Sequence, residues 1–173
     1  ETKPDLQTTL DRFAAWWEGR VLDRPPLVIH QRQPPRALPP LPAYASERER
    51  WLDLETRIAQ QAAAWEGRRA PADVLPCFFP NLGPDICAAP YGAALSFGPH
   101  TSWSHPVCAD CAAVCGREPD LDSFYWRELR RLTELSLAAG RGRWITCYSD
   151  LHTNGDLLAA LREPQELLLD MAE

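Results

Sequence analysis

Long hydrophobic runs are missing from this 173-residue chain. Its apolar stretches, such as Leu167-Leu168-Leu169, fall far short of the roughly 20 residues that span a bilayer, and no membrane partner is expected. The N-terminus, Glu1-Thr2-Lys3-Pro4-Asp5, has no apolar core behind a basic start, so no export signal is visible. Positive charge is not in excess either. Eighteen Lys and Arg stand against 24 Asp and Glu, a net charge of −6, which argues against the basic face that a nucleic-acid partner calls for. Internal repeats, low-complexity tracts and linkers are lacking. The expectation is a cytoplasmic α/β protein, with residues 1–173 in one domain. The first residue is not Met, and the chain is expected to be part of a longer one.

Proline and cysteine are the residues in supply. Of 17 prolines, seven (Pro25, Pro26, Pro34, Pro35, Pro39, Pro40 and Pro42) crowd one stretch, which therefore reads as an extended, irregular connection. The six cysteines are Cys77, Cys87, Cys108, Cys111, Cys115 and Cys147. With no export signal and 45% hydrophobic residues to build a core, they are expected to be reduced thiols.

The apolar spacing of Leu6, Leu10, Phe13, Trp16 and Trp17 predicts a helix over 5–18, closed by Gly19. Leu27-Val28-Ile29-His30 reads as a first buried strand. Ser46 and Glu49 form a capping-box pattern ahead of a helix running to about Trp65, with Trp51, Leu54, Ile58, Ala62 and Trp65 on one stripe. Residues 73–79 form the second strand candidate, with Pro76 interrupting it. Residues 80–104 read as a long active loop with a short helix near 86–94. A third helix is predicted over 120–139, capped by Asp120, with Leu121, Tyr125, Leu129, Leu132 and Leu135 inward. Residues 144–148 are the third strand, and a last helix starts near Pro164. Alternating strands and helices imply a parallel sheet with helical crossovers.

Several clusters have chemical potential. Cys108, Cys111 and Cys115, with His105 nearby, have spacings at which thiolates can converge on zinc or an iron–sulfur cluster. On one face of a short Ala-rich helix they are instead small buried residues; burial is the expectation and metal the alternative. Arg32 and Arg36, past the first strand, can clamp carboxylates or simply stand in solvent. Asn81 and Asp85 follow the second strand, where they face a pocket or make a turn. Tyr148, Asp150 and His152 follow the third, where an Asp and a His two residues apart bind a ligand or move protons, or else fix the loop. His100, Thr101, Ser102, Trp103, Ser104 and His105 form a polar-aromatic segment suited to a lid or wall.

Taken in order, these residues resemble the uroporphyrinogen decarboxylase superfamily, which also contains corrinoid-dependent methyltransferases of the methylcobamide:coenzyme M type. The marks are Arg12-Phe13 with Trp16-Trp17-Glu18-Gly19 and Asp23-Arg24-Pro25-Pro26, then Phe79-Pro80-Asn81-Leu82-Gly83-Pro84, then Thr101-Ser102-Trp103. Tyr125-Trp126, Asp150-Leu151-His152, Asp156-Leu157 and Leu161-Arg162 complete them, so the resemblance spans essentially the whole chain. It implies a partial (β/α)8 barrel, the first three to four βα units behind an N-terminal helical extension.

The resemblance also implies site residues. Arg32, Gln33 and Arg36, with Leu38 and Pro39, match the segment by which the decarboxylases hold substrate carboxylates. Asn81 stands where the decarboxylases place an Asp, and a neutral amide cannot balance a cationic pyrrole intermediate. The family's active-site Tyr falls near Leu158. These departures point to corrinoid-linked methyl transfer or related small-molecule chemistry, with Asp150, His152 and Asn81 catalytic. Arg32, Gln33, Arg36, Asp85, Trp103 and Tyr148 would bind substrate.

The family's zinc belongs to the second half of the barrel, so this portion is expected to bind no cofactor, with a corrinoid as substrate or partner and little activity on its own. Decarboxylation of a tetrapyrrole polycarboxylate is the alternative; a non-catalytic zinc module on Cys108, Cys111 and Cys115 is the third reading. An open parallel sheet with an unpaired edge leads to the expectation of aggregation or a homodimer.

Overall fold

A computed structural model describes residues 1–29 and 38–172. The chain mixes helices with a few short strands and divides into two compact units. Of the residues singled out above, His30, Arg32, Gln33 and Arg36 lie outside the described residues.

The first unit takes in residues 1–41, 55–78 and 135–147. Among its described residues the sheet is one parallel pair, β1 (Cys77–Phe78) with β4 (Ile145–Thr146), in register Cys77↔Ile145 and Phe78↔Thr146. The predicted second and third strands are therefore present and adjacent but much shorter than the apolar runs that announced them. Pro76 sits just ahead of β1, where its missing N–H costs nothing, and its carbonyl accepts from Ile145 N–H at 2.7 Å. Cys147 N–H donates to Phe78 O at 2.9 Å on the other side.

Helix α1 (Leu6–Trp17) forms as its spacing predicts, and Gly19 ends it at φ 71°. The face it buries is not the apolar stripe. Thr9 and Ala15 are buried, whereas Leu10, Trp16 and Trp17 are exposed, Trp17 at 84%. The reason is electrostatic. Asp73 is fully buried, and α1 turns Thr9 and Arg12 towards it, at 3.3 and 2.9 Å. Arg24 also pairs with Asp73, and Arg12 grips Asp23 with two N–H bonds of 2.8 and 2.7 Å.

The same carboxylate explains why Leu27-Val28-Ile29 is not a strand. Asp73 accepts from Leu27 N–H with its side chain at 2.8 Å and donates its own N–H to Leu27 O at 2.9 Å. Pro25 and Pro26 have no N–H to extend that pairing. Leu27 is tied down and no ladder forms among the described residues; Leu27, Val28 and Ile29 are each about half exposed.

The second unit takes in residues 42–54, 79–134 and 148–173. Ser46 caps α2 (Glu47–Leu52) by accepting from Glu49 N–H at 3.2 Å, and the Glu49 carboxylate reaches back to Ala45 N–H at 2.8 Å. The capping box thus holds, with its return bond one residue early. The single helix expected to reach Trp65 breaks at Asp53, whose ψ of 75° leaves the helical range, and α3 (Leu54–Trp65) begins anew. Tyr44 hydroxyl donates to Asp53 at 3.0 Å.

The segment expected as a long loop with a short helix near 86–94 carries that helix and a hairpin besides. A 3₁₀ helix (Pro84–Tyr91) buries Ile86, Cys87, Ala88 and Ala89. An antiparallel hairpin follows, β2 (Leu95–Phe97) against β3 (Ser102–Ser104), with Ser96 opposite Trp103. Gly83 is obligatory at the start of this segment. Its φ is 108°, and a Cβ there would lie 1.6 Å from Ser102 Oγ, the hydroxyl that donates to Leu82 O at 2.7 Å.

Helix α4 is only Cys111–Cys115, capped by Asp110. Cys108 precedes it and packs with Ala88, Ala93 and Leu161, while Cys115 is exposed. The three thiols therefore do not share one helical face. Helix α5 (Phe124–Ala139) starts four residues later than expected, because Asp120 makes a turn, accepting from Asp122 and Ser123 N–H at 2.9 and 3.1 Å. Leu129 and Leu132 are buried as predicted, but Leu121 is exposed.

Asn154-Gly155 resembles a turn, yet Gly155 begins α6 (Gly155–Arg162), with Asn154 at φ 56° before it. Glu163, at φ 91°, joins α6 to α7 (Pro164–Asp170) and caps α7 by accepting from Gln165 and Glu166 N–H at 2.8 and 3.0 Å.

Candidate functional site

The short run after β4 positions a histidine between two acids. His152 Nε2 lies 3.1 Å from Asp150 and Nδ1 lies 3.3 Å from Asp156. Asp156 stands four residues after His152, in the first turn of α6. Both ring nitrogens thus face carboxylates, an arrangement that suits the doubly protonated imidazolium. The hydrogen bond to Asp150 and that carboxylate's charge raise the His152 pKa above its ordinary value. Partial desolvation opposes this, and Asp156 adds to the rise.

A cleft of about 380 Å³ opens beside the imidazole, within the second unit. Asp85, Trp103 and Ser104 line it from the 3₁₀ helix and the hairpin, and His152 and Asp156 from the start of α6. Asp85 is fixed by the hairpin, accepting from Ser104 N–H at 2.9 Å and Ser104 hydroxyl at 3.2 Å. Ser104 Oγ also lies 2.9 Å from Ala160 O, which ties β3 to α6. Ala159 and Ala160 form a small-residue wall, and Glu163 with Pro164 closes one end.

The expected site residues divide. Asp85, Trp103 and His152 line one cleft, and Asp150 holds His152. Asn81 serves the backbone: its side-chain oxygen accepts from Gly83 N–H, the turn chemistry open to it from the start. Tyr148 points away, 88% exposed. Arg32, Gln33 and Arg36 lie outside the described residues. Ser104 belongs to the segment expected as a lid or wall, Asp156 was named only among the marks of the resemblance, and Glu163 was not singled out; the i, i+4 spacing of His152 and Asp156 carried a signal that the turn pair Asn154-Gly155 hid.

The two carboxylates favour the protonated form of His152. Giving a proton to a ligand requires one carboxylate to yield its bond, and Asp156 is well exposed at 72%, so a ligand in the cleft can take its place. In the same unit, burial and the Asp150 carboxylate push the Cys87 thiol up, which disfavours the reactive thiolate.

In the first unit, burial of Asp73 pushes its pKa up. The Leu27 N–H and the Arg24 and Arg12 guanidinium groups more than reverse that, holding it well below the carboxylate range. Each Asp73 oxygen is occupied by these groups, so this network is structural. Burial and the neighbouring Cys147 thiol raise Cys77 to about 11.

Among the described residues, no three His, Cys, Asp or Glu side chains gather to hold a metal ion, and no helix is long and apolar enough to cross a membrane. No family model matches the sequence, and no curated protein or solved structure matches the chain.

Proposed function

We propose that this chain is the front part of a uroporphyrinogen decarboxylase-superfamily barrel, and that its second unit takes a small molecule for methyl transfer, with His152 as proton donor. The observation that carries the reading is the imidazole held by Asp150 and Asp156 at the cleft that Asp85 and Trp103 also line. Two further features support it. Strands β1 and β4 run parallel, as barrel neighbours do. Asp85 and His152, both of which line the cleft, follow β1 and β4 in sequence.

The cleft's charge and size favour methyl transfer over tetrapyrrole decarboxylation. Asp85, Asp156 and Glu163 line it against His152, so a polycarboxylate would meet its own charge. At about 380 Å³ it suits a small ligand at the low end of the usual range of about 300–1,000 Å³, with a corrinoid as a partner outside it. As the methyl group left its nitrogen or oxygen for the corrinoid outside the cleft, His152 would protonate the amine or alkoxide released, and Asp150 would hold the ring.

The test is binding by the whole chain. The His152 imidazole resonances are followed while dimethylamine, methanol, methylcobalamin and uroporphyrin are added separately. The reading expects dimethylamine or methanol to move the His152 signals, and uroporphyrin to leave them alone. A His152 signal indifferent to both small probes would sink it. Uroporphyrin binding abolished by an Arg32→Ala, Arg36→Ala double variant would establish the decarboxylase alternative instead. One zinc per chain, lost on Cys108→Ser, would favour the binding module.

A further inference from the structure

A cleft of about 660 Å³ in the first unit shares no lining residue with the His152 cleft. Ala59, Ala62 and Ala63, at helical spacing on α3, line it together with Trp65. Small side chains at i, i+3 and i+4 leave a hollow where larger ones would fill it. Arg69, after α3, and Arg143, before β4, both line this hollow although they are distant in sequence.

The backbone fixes the edges. Ala70 N–H donates to Thr2 O at 2.9 Å, Thr2 N–H to Gly142 O at 3.3 Å, and Arg143 N–H to Gly140 O at 2.8 Å. Arginines just beyond a helix C-terminus ordinarily bond its last carbonyls. Neither the Arg69 nor the Arg143 guanidinium has a hydrogen-bond or ion-pair partner among the described residues. Arg69 and Arg143 are exposed, as are the acids on the rim, Glu1 and Glu66; with Arg68, three arginines and two glutamates line the cleft.

We propose that this cleft binds an amphipathic organic anion, its ring system laid on the alanines and Trp65 and its carboxylate taken by Arg69 and Arg143. The volume lies within the range of small-molecule sites. The guanidinium fork matches a carboxylate. An inorganic anion would leave the apolar lining unused, and a neutral aromatic would leave both arginines without a partner.

Calorimetric titration of the whole chain with 1-naphthoate, and with 1-naphthalenemethanol as its neutral counterpart, tests this. Naphthoate is expected to bind saturably and at least about tenfold tighter than the alcohol, and to weaken as salt rises. An Arg69→Ala, Arg143→Ala double variant is expected to lose at least about tenfold in naphthoate affinity with an unchanged melting temperature. If that variant melts early, Arg69→Gln and Arg143→Gln are measured singly, each expected to weaken naphthoate binding by about threefold or more. Equal affinity for acid and alcohol overturns the proposal. So does naphthoate binding that the arginine variants leave intact, or the lack of saturation at roughly 1 mM ligand.

Discussion

Replacing Asp73 by Ala removes the acceptor on which four groups converge. Arg12 and Arg24 lose an ion pair, and Thr9 hydroxyl and Leu27 N–H lose a hydrogen bond. Breaking a buried pair by deleting one partner costs about 3–5 kcal/mol. Two features put this case near the lower end. Arg24 is 35% exposed and can turn to water, and Arg12 keeps its two bonds to Asp23.

A loss of about 3 kcal/mol is therefore expected, a large part of the total of about 5–15 kcal/mol typical of a folded domain. Asp73→Asn keeps the volume and one acceptor but turns an NH₂ towards a guanidinium, so about 2 kcal/mol is expected. Urea unfolding at pH 7, with the denaturant slope compared between variants, measures both.

The pH dependence supplies a second check. Asp73 has a depressed folded-state pKa, so its contribution is complete above the unfolded value of about 3.9 and disappears as pH falls through the folded value. The gap between wild type and Asp73→Ala should hold at neutral pH and shrink below about pH 4. A loss under about 1 kcal/mol at pH 7 with an unchanged slope, or a gap that widens in acid, would refute the argument.

Three further outcomes follow from single observations. The His152 imidazole should titrate above its ordinary value by NMR, and Asp150→Ala should bring it down, because the hydrogen bond to Asp150 is the largest cause of the shift; an unchanged pKa would mean that the pair does not form in solution. Gly83→Ala should cost about 2–5 kcal/mol in a thermal or urea melt, combining overpacking against Ser102 with a positive φ; a neutral effect would show that the hairpin does not approach this closely. Under iodoacetamide at pH 8, exposed Cys115 should be alkylated well before Cys77, whose thiol is shielded and raised to about 11; peptide mass mapping reads the order.

What could be read from the residues was mostly local. Ser46 with Glu49 announces a capped helix because the cap is made within a few residues, and Gly19 ends α1 for the same reason. The apolar runs around Cys77 and Ile145 yield paired strands. The buried face of α1 was not legible, because a carboxylate 64 residues beyond Thr9 decides it. Periodicity reports which side of a helix is apolar, not which side a distant buried charge requires. Helix α6 was hidden by local chemistry instead: Asn154-Gly155 is a good turn pair, and here it ends the turn at the first residue of a helix.

The same contrast runs through the candidate site. Asp150 and His152 were legible as a pair because two residues separate them and their hydrogen bond is local. Asp85 and Trp103 reach the cleft only because residues 84–104 fold back as a 3₁₀ helix and hairpin, a non-local event with no periodic signature. That fold-back depends on Gly83, where any side chain would strike Ser102. A backbone position thus governs whether the acids and the imidazole share one cleft. The melt of Gly83→Ala should therefore be read with the His152 titration of the folded variant. If the hairpin shifts, Asp85 leaves the cleft while the local Asp150–His152 pair persists. The raised His152 pKa should then survive in a protein that no longer takes the small molecule proposed for the cleft, separating what the imidazole owes to its neighbours from what the cleft owes to the fold.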